Sequence, residues 1–150
     1  ILLSHLGPEP LGSDWSGVLL HKSLRGRNVS IKTALLDQKI VVGIGNIYAS
    51  EILFRAGVSP KRLAKNVSEK MATRIFEETQ IVLRTAIEAG GSTLKDGQFK
   101  QIDGNLGYFP HEFAVYDREG EVCTSVECSN TIKRVVQSGR STFFCSRCQR

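Results

Sequence analysis

Four cysteines, Cys123, Cys128, Cys145 and Cys148, all fall within the last 28 residues of the 150-residue chain. Their spacing is C-x4-C, sixteen residues, then C-x2-C. Two close pairs separated by a hairpin-length insert can bring four thiolates to the corners of one tetrahedron, which is the ligand set of a structural zinc ion. The alternative, two disulfides, belongs to oxidising compartments, and nothing in the sequence reads as a secretory signal.

A second stretch has a different chemistry. In Val41-Val42-Gly43-Ile44-Gly45-Asn46 two glycines stand two residues apart before a helix-like run to about Ala56. Glycines allow a tight turn and a close approach of backbone to a partner, and Asn46 is a good helix cap. The first amides of a helix lack internal acceptors and sit at the positive end of its dipole, so such a turn leaves them open to a phosphate-sized anion. Gly-x-Gly before a helix is also ordinary turn chemistry.

Those two stretches need elements to hold them. Leu6-Gly7-Pro8-Glu9-Pro10 is an extended lead-in fixed by its prolines. Ser13 is expected to cap a helix from Asp14 to about Arg25 with Trp15, Val18 and Leu19 on its inner face. Ser30 caps a short helix from Ile31 to about Asp37, with Ile31, Ala34 and Leu35 inward and Lys32 turned away. Residues 38–45 make two successive turns, and the helix from Asn46 closes at Gly57. Lys32 and Asn46 are thereby placed to face one anion. Ser68 caps the longest helix, whose stripe of Met71, Ile75, Val82, Leu83, Ala86 and Ile87 ends at Gly90-Gly91. Residues 92–112 show no period and read as a binding loop or linker. Phe113 to Tyr116 looks like a strand. Ile132–Val136 and Thr142–Phe144 look like the arms of a hairpin with Arg140 at its tip and both cysteine pairs at its base.

The expected fold is mainly α: a helical domain over residues 1–91, a loop over 92–112, and a small β-hairpin zinc finger over 113–150. Net charge is +5 and the pI about 9.2, which favours polyanionic partners. No apolar run is long enough for a membrane span and no signal peptide is seen, so a soluble protein that is not secreted is expected, and with it a cytoplasmic location and a monomeric state are taken as expectations. The chain begins without methionine inside an apolar segment, as a fragment would. His5, His21 and His111 are isolated and read as ordinary surface or packing residues. No nucleophilic triad, phosphate-binding Walker loop or internal repeat is present.

Five motifs then occur in one order: Leu6-Gly7-Pro8-Glu9-Pro10-Leu11, Gly43 to Glu51 (GIGNIYASE), Gly90-Gly91-Ser92-Thr93-Leu94-Lys95-Asp96, Gly107-Tyr108-Phe109 and the cysteine pairs. In this the chain resembles the C-terminal half of bacterial formamidopyrimidine-DNA glycosylase, with its helix–two-turns–helix domain and zinc-finger hairpin. The resemblance implies excision of oxidised purines, such as 8-oxoguanine and formamidopyrimidines, from damaged duplex DNA with the target nucleotide flipped out, followed by strand cleavage at the abasic site. It makes Lys32 and Asn46 phosphate-binding groups and Arg140 the finger arginine that grips phosphates and is assigned proton donation in the elimination. It makes residues 92–108 the loop over the flipped base, and Cys123, Cys128, Cys145 and Cys148 the ligands of one zinc ion.

The family's nucleophile is an N-terminal proline amine. Pro8-Glu9 only imitates it, because the nitrogen of Pro8 is an amide after Gly7. The family's catalytic glutamate and lysine also belong to an N-terminal domain, so this chain by itself is expected to be inactive. Two departures are local: C-x4-C stands where the family usually has C-x2-C, and Asn28 stands where relatives often carry a lysine that contacts DNA. The competing readings are the related endonuclease VIII-like enzyme for oxidised pyrimidines and a non-catalytic DNA-binding module. The loop with Gly107-Tyr108-Phe109 favours the purine enzyme.

Overall fold

A computed structural model describes residues 6–96 and 113–150, with backbone alone from 90 to 96. Among the described residues four α-helices and one short 3-10 helix, Ala64–Asn66, precede a two-stranded antiparallel hairpin: α1 Gly17–Leu24, α2 Ile31–Leu36, α3 Asn46–Ala56, α4 Glu69–Asp96, β1 Lys133–Gln137 and β2 Arg140–Phe144.

The first helix starts later than its sequence suggests. Ser16, not Ser13, is the cap, its hydroxyl accepting the Leu19 N–H at 3.2 Å. The start is dictated by packing: a Cβ on Gly17 would lie 2.5 Å from Thr73 Oγ1, so only glycine lets α1 rest against α4 here. That contact sets the helix register. Leu20 and Leu24 turn inward with Gly17, while Val18 and Leu19 face solvent, against expectation. Trp15 is buried just before the helix, edge-on to Phe76 at 5.5 Å.

Between α2 and α3 the double turn is held by its own side chains. Asp37 Oδ1 accepts the Lys39 N–H and Gln38 Oε1 accepts the Gly43 N–H, both at 2.9 Å. The lead-in lies alongside, Gly7 N–H donating to Gln38 O at 2.7 Å and Val42 N–H to Pro8 O at 3.0 Å. Gly43 has φ +83°, a left-handed conformation that favours glycine.

Helix α3 is the hub. Ala49, Ser50, Glu51, Ile52, Leu53 and Ala56 are all buried, and Gly57 closes the helix in the left-handed conformation. One cluster, with Leu20, Leu24, Ile31, Leu35, Ile52, Leu53 and Ile75 at its centre, fills the helical unit. A second, around Val115, Ile132, Phe143 and two of the cysteines, fills the finger, and Phe54 of α3 packs against it. Ser68 caps α4 as expected, but that helix runs through Gly90-Gly91 to Asp96. Each helical glycine costs only about 1 kcal/mol relative to alanine, so two of them weaken a helix without ending it.

The hairpin forms as expected, but β1 lies one residue later and β2 starts two residues earlier, so Arg140 opens the second strand beside the turn. Gln137 pairs with Arg140, leaving a two-residue turn in which Ser138 (φ 49°) and Gly139 (φ 78°) both have positive φ, the geometry that follows strand twist. Residues 113–116 do not form the expected strand. Their amides turn instead toward a carboxylate on α3. Residues 97–112, most of the expected lesion loop, lie outside the described residues, as do His5 and His111. No helix among the described residues is long and apolar enough to cross a membrane.

Candidate nucleic-acid interface and metal centre

The four cysteine sulfurs lie within 4.8 Å of one another, with Cys123 Sγ to Cys148 Sγ at 3.8 Å and Cys128 Sγ to Cys145 Sγ at 3.7 Å. A zinc–sulfur bond of about 2.3 Å places tetrahedral sulfurs about 3.8 Å apart, whereas a disulfide needs about 2.05 Å. The chain therefore carries a structural zinc site and no disulfide among these residues. The chemistry of the donors agrees. Burial pushes the Cys145 thiol up and Cys148 up to about 12, while the Asn130 backbone brings Cys128 down to about 7. A bound cation would hold the raised Cys145 and Cys148 as thiolates.

The longer first knuckle is absorbed locally. Cys128 N–H donates to Ser125 O at 3.1 Å, and Glu127 takes a left-handed φ of 64°. The two extra residues thus form a bulged turn with Val126 at its exposed tip. Arg147 Nη1 donates to Glu127 O at 3.1 Å and ties one knuckle to the other.

Three sets of bonds fix this finger to the helices. Glu51, buried on α3, accepts the backbone N–H groups of Ala114, Val115 and Tyr116 at 2.8, 2.9 and 2.9 Å. Gln149, also buried, accepts the Cys145 N–H at 2.8 Å and donates to Val58 O at 3.0 Å. Its neighbour Arg150 extends this second set, pairing in both directions with the segment after α3, its N–H on Gly57 O and its carbonyl accepting the Ser59 N–H, each at 3.0 Å. Sequence reasoning gives Glu51 no role although it ends the GIGNIYASE motif, and Gln149 carries no signal at all. An acid in the middle of an otherwise apolar helix face is the available hint.

The third set joins the residues expected to bind an anion. Lys32 Nζ donates to Asn46 Oδ1, to Thr142 Oγ1 at 2.6 Å and to Ser141 O at 3.2 Å, and Asn46 Nδ2 donates to the same Ser141 carbonyl at 3.0 Å. Lys32 does turn away from the helical core, but into the finger, where it is 1% exposed. Arg140, the residue before Ser141, is exposed and has no hydrogen-bond or ion-pair partner among the described residues. Burial first, and the nearby Arg140 charge second, lower the Lys32 pKa to about 8. A cleft of about 360 Å³ opens between Arg140 and Gln137 on the hairpin, Lys32 on α2, and Arg27 and Val29 in the preceding turn. Asn28 is exposed in that turn, and no hydrogen bond joins it to the cluster.

Asn46 is the first residue of α3 and not its cap. Gly45 occupies the cap position, with no side chain to bond, and the first intrahelical bond runs from Ala49 N–H to Gly45 O. The amides of Asn46 and Ile47 therefore keep no intrahelical acceptor. Gly45 itself has φ −90°, which any residue adopts, and a Cβ there would meet nothing within 4 Å. The fold does not require glycine at this position. Open amides behind a glycine with free space around it suit a phosphate.

Fold and site define a helix–two-turns–helix protein that carries a four-cysteine zinc hairpin locked onto its second turn helix. Residues 6–98 match the formamidopyrimidine-DNA glycosylase H2TH domain, and residues 120–150 match the zinc finger found in FPG and IleRS. The chain belongs to the formamidopyrimidine-DNA glycosylase family.

Among its relatives is the formamidopyrimidine-DNA glycosylase of Ruegeria pomeroyi, 54% identical over 149 residues, which cover 99% of this chain and 52% of that protein. The crystal structure of MutM (Fpg) from Thermus thermophilus superposes with a TM-score of 0.83 at 43% identity, covering 99% of this chain and 55% of that one. Lactococcus lactis Fpg bound non-covalently to DNA containing an AP site gives 0.81 at 32% identity, with 99% and 52% covered. The chain thus spans about half the length of the curated relatives it matches.

Proposed function

We propose that these residues are the DNA-gripping portion of a bacterial base-excision-repair glycosylase and abasic-site lyase that removes 8-oxoguanine and formamidopyrimidines from duplex DNA. The observation that carries this is the junction at Ser141, where Lys32 and Asn46, at the start of α3, both donate to the carbonyl of the residue next to Arg140. Similar proteins support the substrate class: Lactococcus lactis Fpg is described with DNA containing Fapy-dG, and a MutM with DNA containing carbocyclic 8-oxo-G. On this reading Arg140 and the amides of Asn46 and Ile47 hold successive phosphates beside the lesion, and the loop over the flipped base comes from residues 97–112, beyond the end of α4. The protein acts as a monomer in the cytoplasm, with its nucleophile in a catalytic domain joined in cis. Arg140 serves chiefly as a clamp, because a guanidinium forms two-point bonds to phosphate and scarcely deprotonates. A role as proton donor in the elimination would need help from the DNA itself.

Joining the preceding half of the Ruegeria pomeroyi relative to this chain is expected to give incision of duplexes carrying 8-oxoguanine, with weaker action on oxidised pyrimidines. The 150-residue chain alone should bind abasic DNA in a salt-dependent way yet yield no borohydride-trapped adduct. Salt-independent binding, or a joined protein that prefers oxidised pyrimidines, would sink this assignment. Arg140→Ala should lower the salt slope of binding by about 0.9, the share of one phosphate contact.

Gly45→Ala offers a cleaner separation of fold from function. Because its φ is ordinary and its surroundings are empty, thermal stability should hold or rise by up to about 1 kcal/mol. DNA affinity should nevertheless drop, since the new methyl occupies the approach to the amides. Unchanged affinity by fluorescence anisotropy would place the phosphate elsewhere.

A further inference from the structure

Lys32 is an unusual group to find in a phosphate clamp, because it has nothing left to give. An ammonium carries three N–H donors, and all three are taken, by Asn46 Oδ1, Thr142 Oγ1 and Ser141 O. At 1% exposed, the side chain has almost no surface of its own to offer a ligand. Its acceptors come from two elements, α3 and β2, which meet here without direct backbone pairing. Resting on the DNA-binding reading above, we propose that Lys32 is a positioning residue: it fastens the start of α3 to β2 and thereby sets the spacing of Asn46 and Arg140, and it makes no contact of its own with phosphate.

The balance of charge agrees. Every direct partner of Lys32 is neutral. The charges facing it are Arg140 on β2, Arg134 on β1 through its bonds to the Ser141 hydroxyl at 3.0 and 2.7 Å, and Arg27 and Asp37 across the cleft. An uncompensated buried ammonium costs stability and persists only where its bonds are needed. A polyanion arriving at Arg140 neutralises the nearest repulsive charge and favours the protonated fastener. The Lys32 pKa, held down to about 8 in the free protein, should therefore rise on binding. The sign follows: from about pH 8 upward binding takes up a proton, so affinity falls as pH rises past the free-protein value.

The test uses the zinc-loaded full chain, a short duplex bearing one abasic-site analogue, and two variants, Lys32→Met and Thr142→Val. Each is checked for zinc content and helical spectrum before binding is measured against salt and pH. Thr142→Val removes one acceptor from the buried face without altering any charge, and it keeps the question answerable if Lys32→Met folds poorly. The expected result is a loss of roughly fivefold to tenfold for Thr142→Val, a larger loss for Lys32→Met, and a salt slope unchanged in both. The wild-type decline above about pH 8 should be missing in Lys32→Met. A slope reduced by about 0.9 in Lys32→Met, with Thr142→Val binding as well as wild type or better, would mean direct phosphate contact and overturn the proposal. A wild-type chain that binds no DNA would overturn the DNA reading as well, and is told apart from the former outcome by the wild-type control alone.

Discussion

Removal of the zinc ion with a chelator should unfold residues 113–150 and leave the helices standing. The finger has 38 residues, a size at which a hydrophobic core alone rarely suffices. Its apolar cluster rests on little more than Val115, Ile132 and Phe143 beside the cysteines. Zinc in such sites contributes on the order of 10 kcal/mol or more to folding, comparable to the whole stability of an ordinary domain. The helical core contains none of the ligands and should keep its far-ultraviolet signal. The expected outcome is loss of near-ultraviolet dichroism from Tyr116 and Phe143, whose rings pack edge-on at 4.9 Å, with helicity retained and DNA binding abolished. Cys145→Ser should behave like the chelated protein. A metal-free chain with an intact aromatic signal would show that the finger core needs no ion.

Glu51→Ala should be the most damaging single change outside the metal ligands. Its carboxylate takes three backbone N–H groups at once, and truncation leaves those donors buried without an acceptor. Hydrogen bonds to a charged group contribute about 1.5–3 kcal/mol each, offset in part because an expensive buried charge disappears too. A net loss on the order of 3–5 kcal/mol is expected, which for a chain of this length lowers the melting temperature by roughly 10 °C. Glu51→Gln keeps the shape but sets an amide N–H against one of the donors, so it should fall between alanine and wild type. Calorimetry on zinc-saturated protein settles the order, and an alanine variant as stable as wild type would contradict it.

Which parts are legible in the sequence follows from the range of the interactions involved. Caps, turns and metal spacing are local, so Ser30, Gly57, Ser68, the hairpin turn and the four cysteines can be placed from their neighbours. Lys32, Asn46 and Arg140 stand out by type and resemblance, but the burial of Lys32 does not, because it is enclosed by residues more than a hundred positions away. The register of α1 escapes for the same reason: Gly17 must meet Thr73, and that contact overrides the nearer cap at Ser13. Phe113 to Tyr116 has strand-like residues, yet the carboxylate of Glu51 offers its amides a better acceptor than any neighbouring strand. Gly90-Gly91 reads as a stop signal, but two weak propensities do not add up to one.

The pairing of Gln149 and Arg150 with residues 57–62 has a consequence for how the molecule assembles. Partners some ninety positions apart cannot meet until the later of the two has been made, and separations of that kind slow folding. For the several seconds that synthesis of the intervening residues takes at about 5–20 residues per second, the nascent helices must wait with the Glu51 carboxylate and the Lys32 ammonium unmatched. The finger is therefore fastened to the helices late, when Gln149 and Arg150 dock.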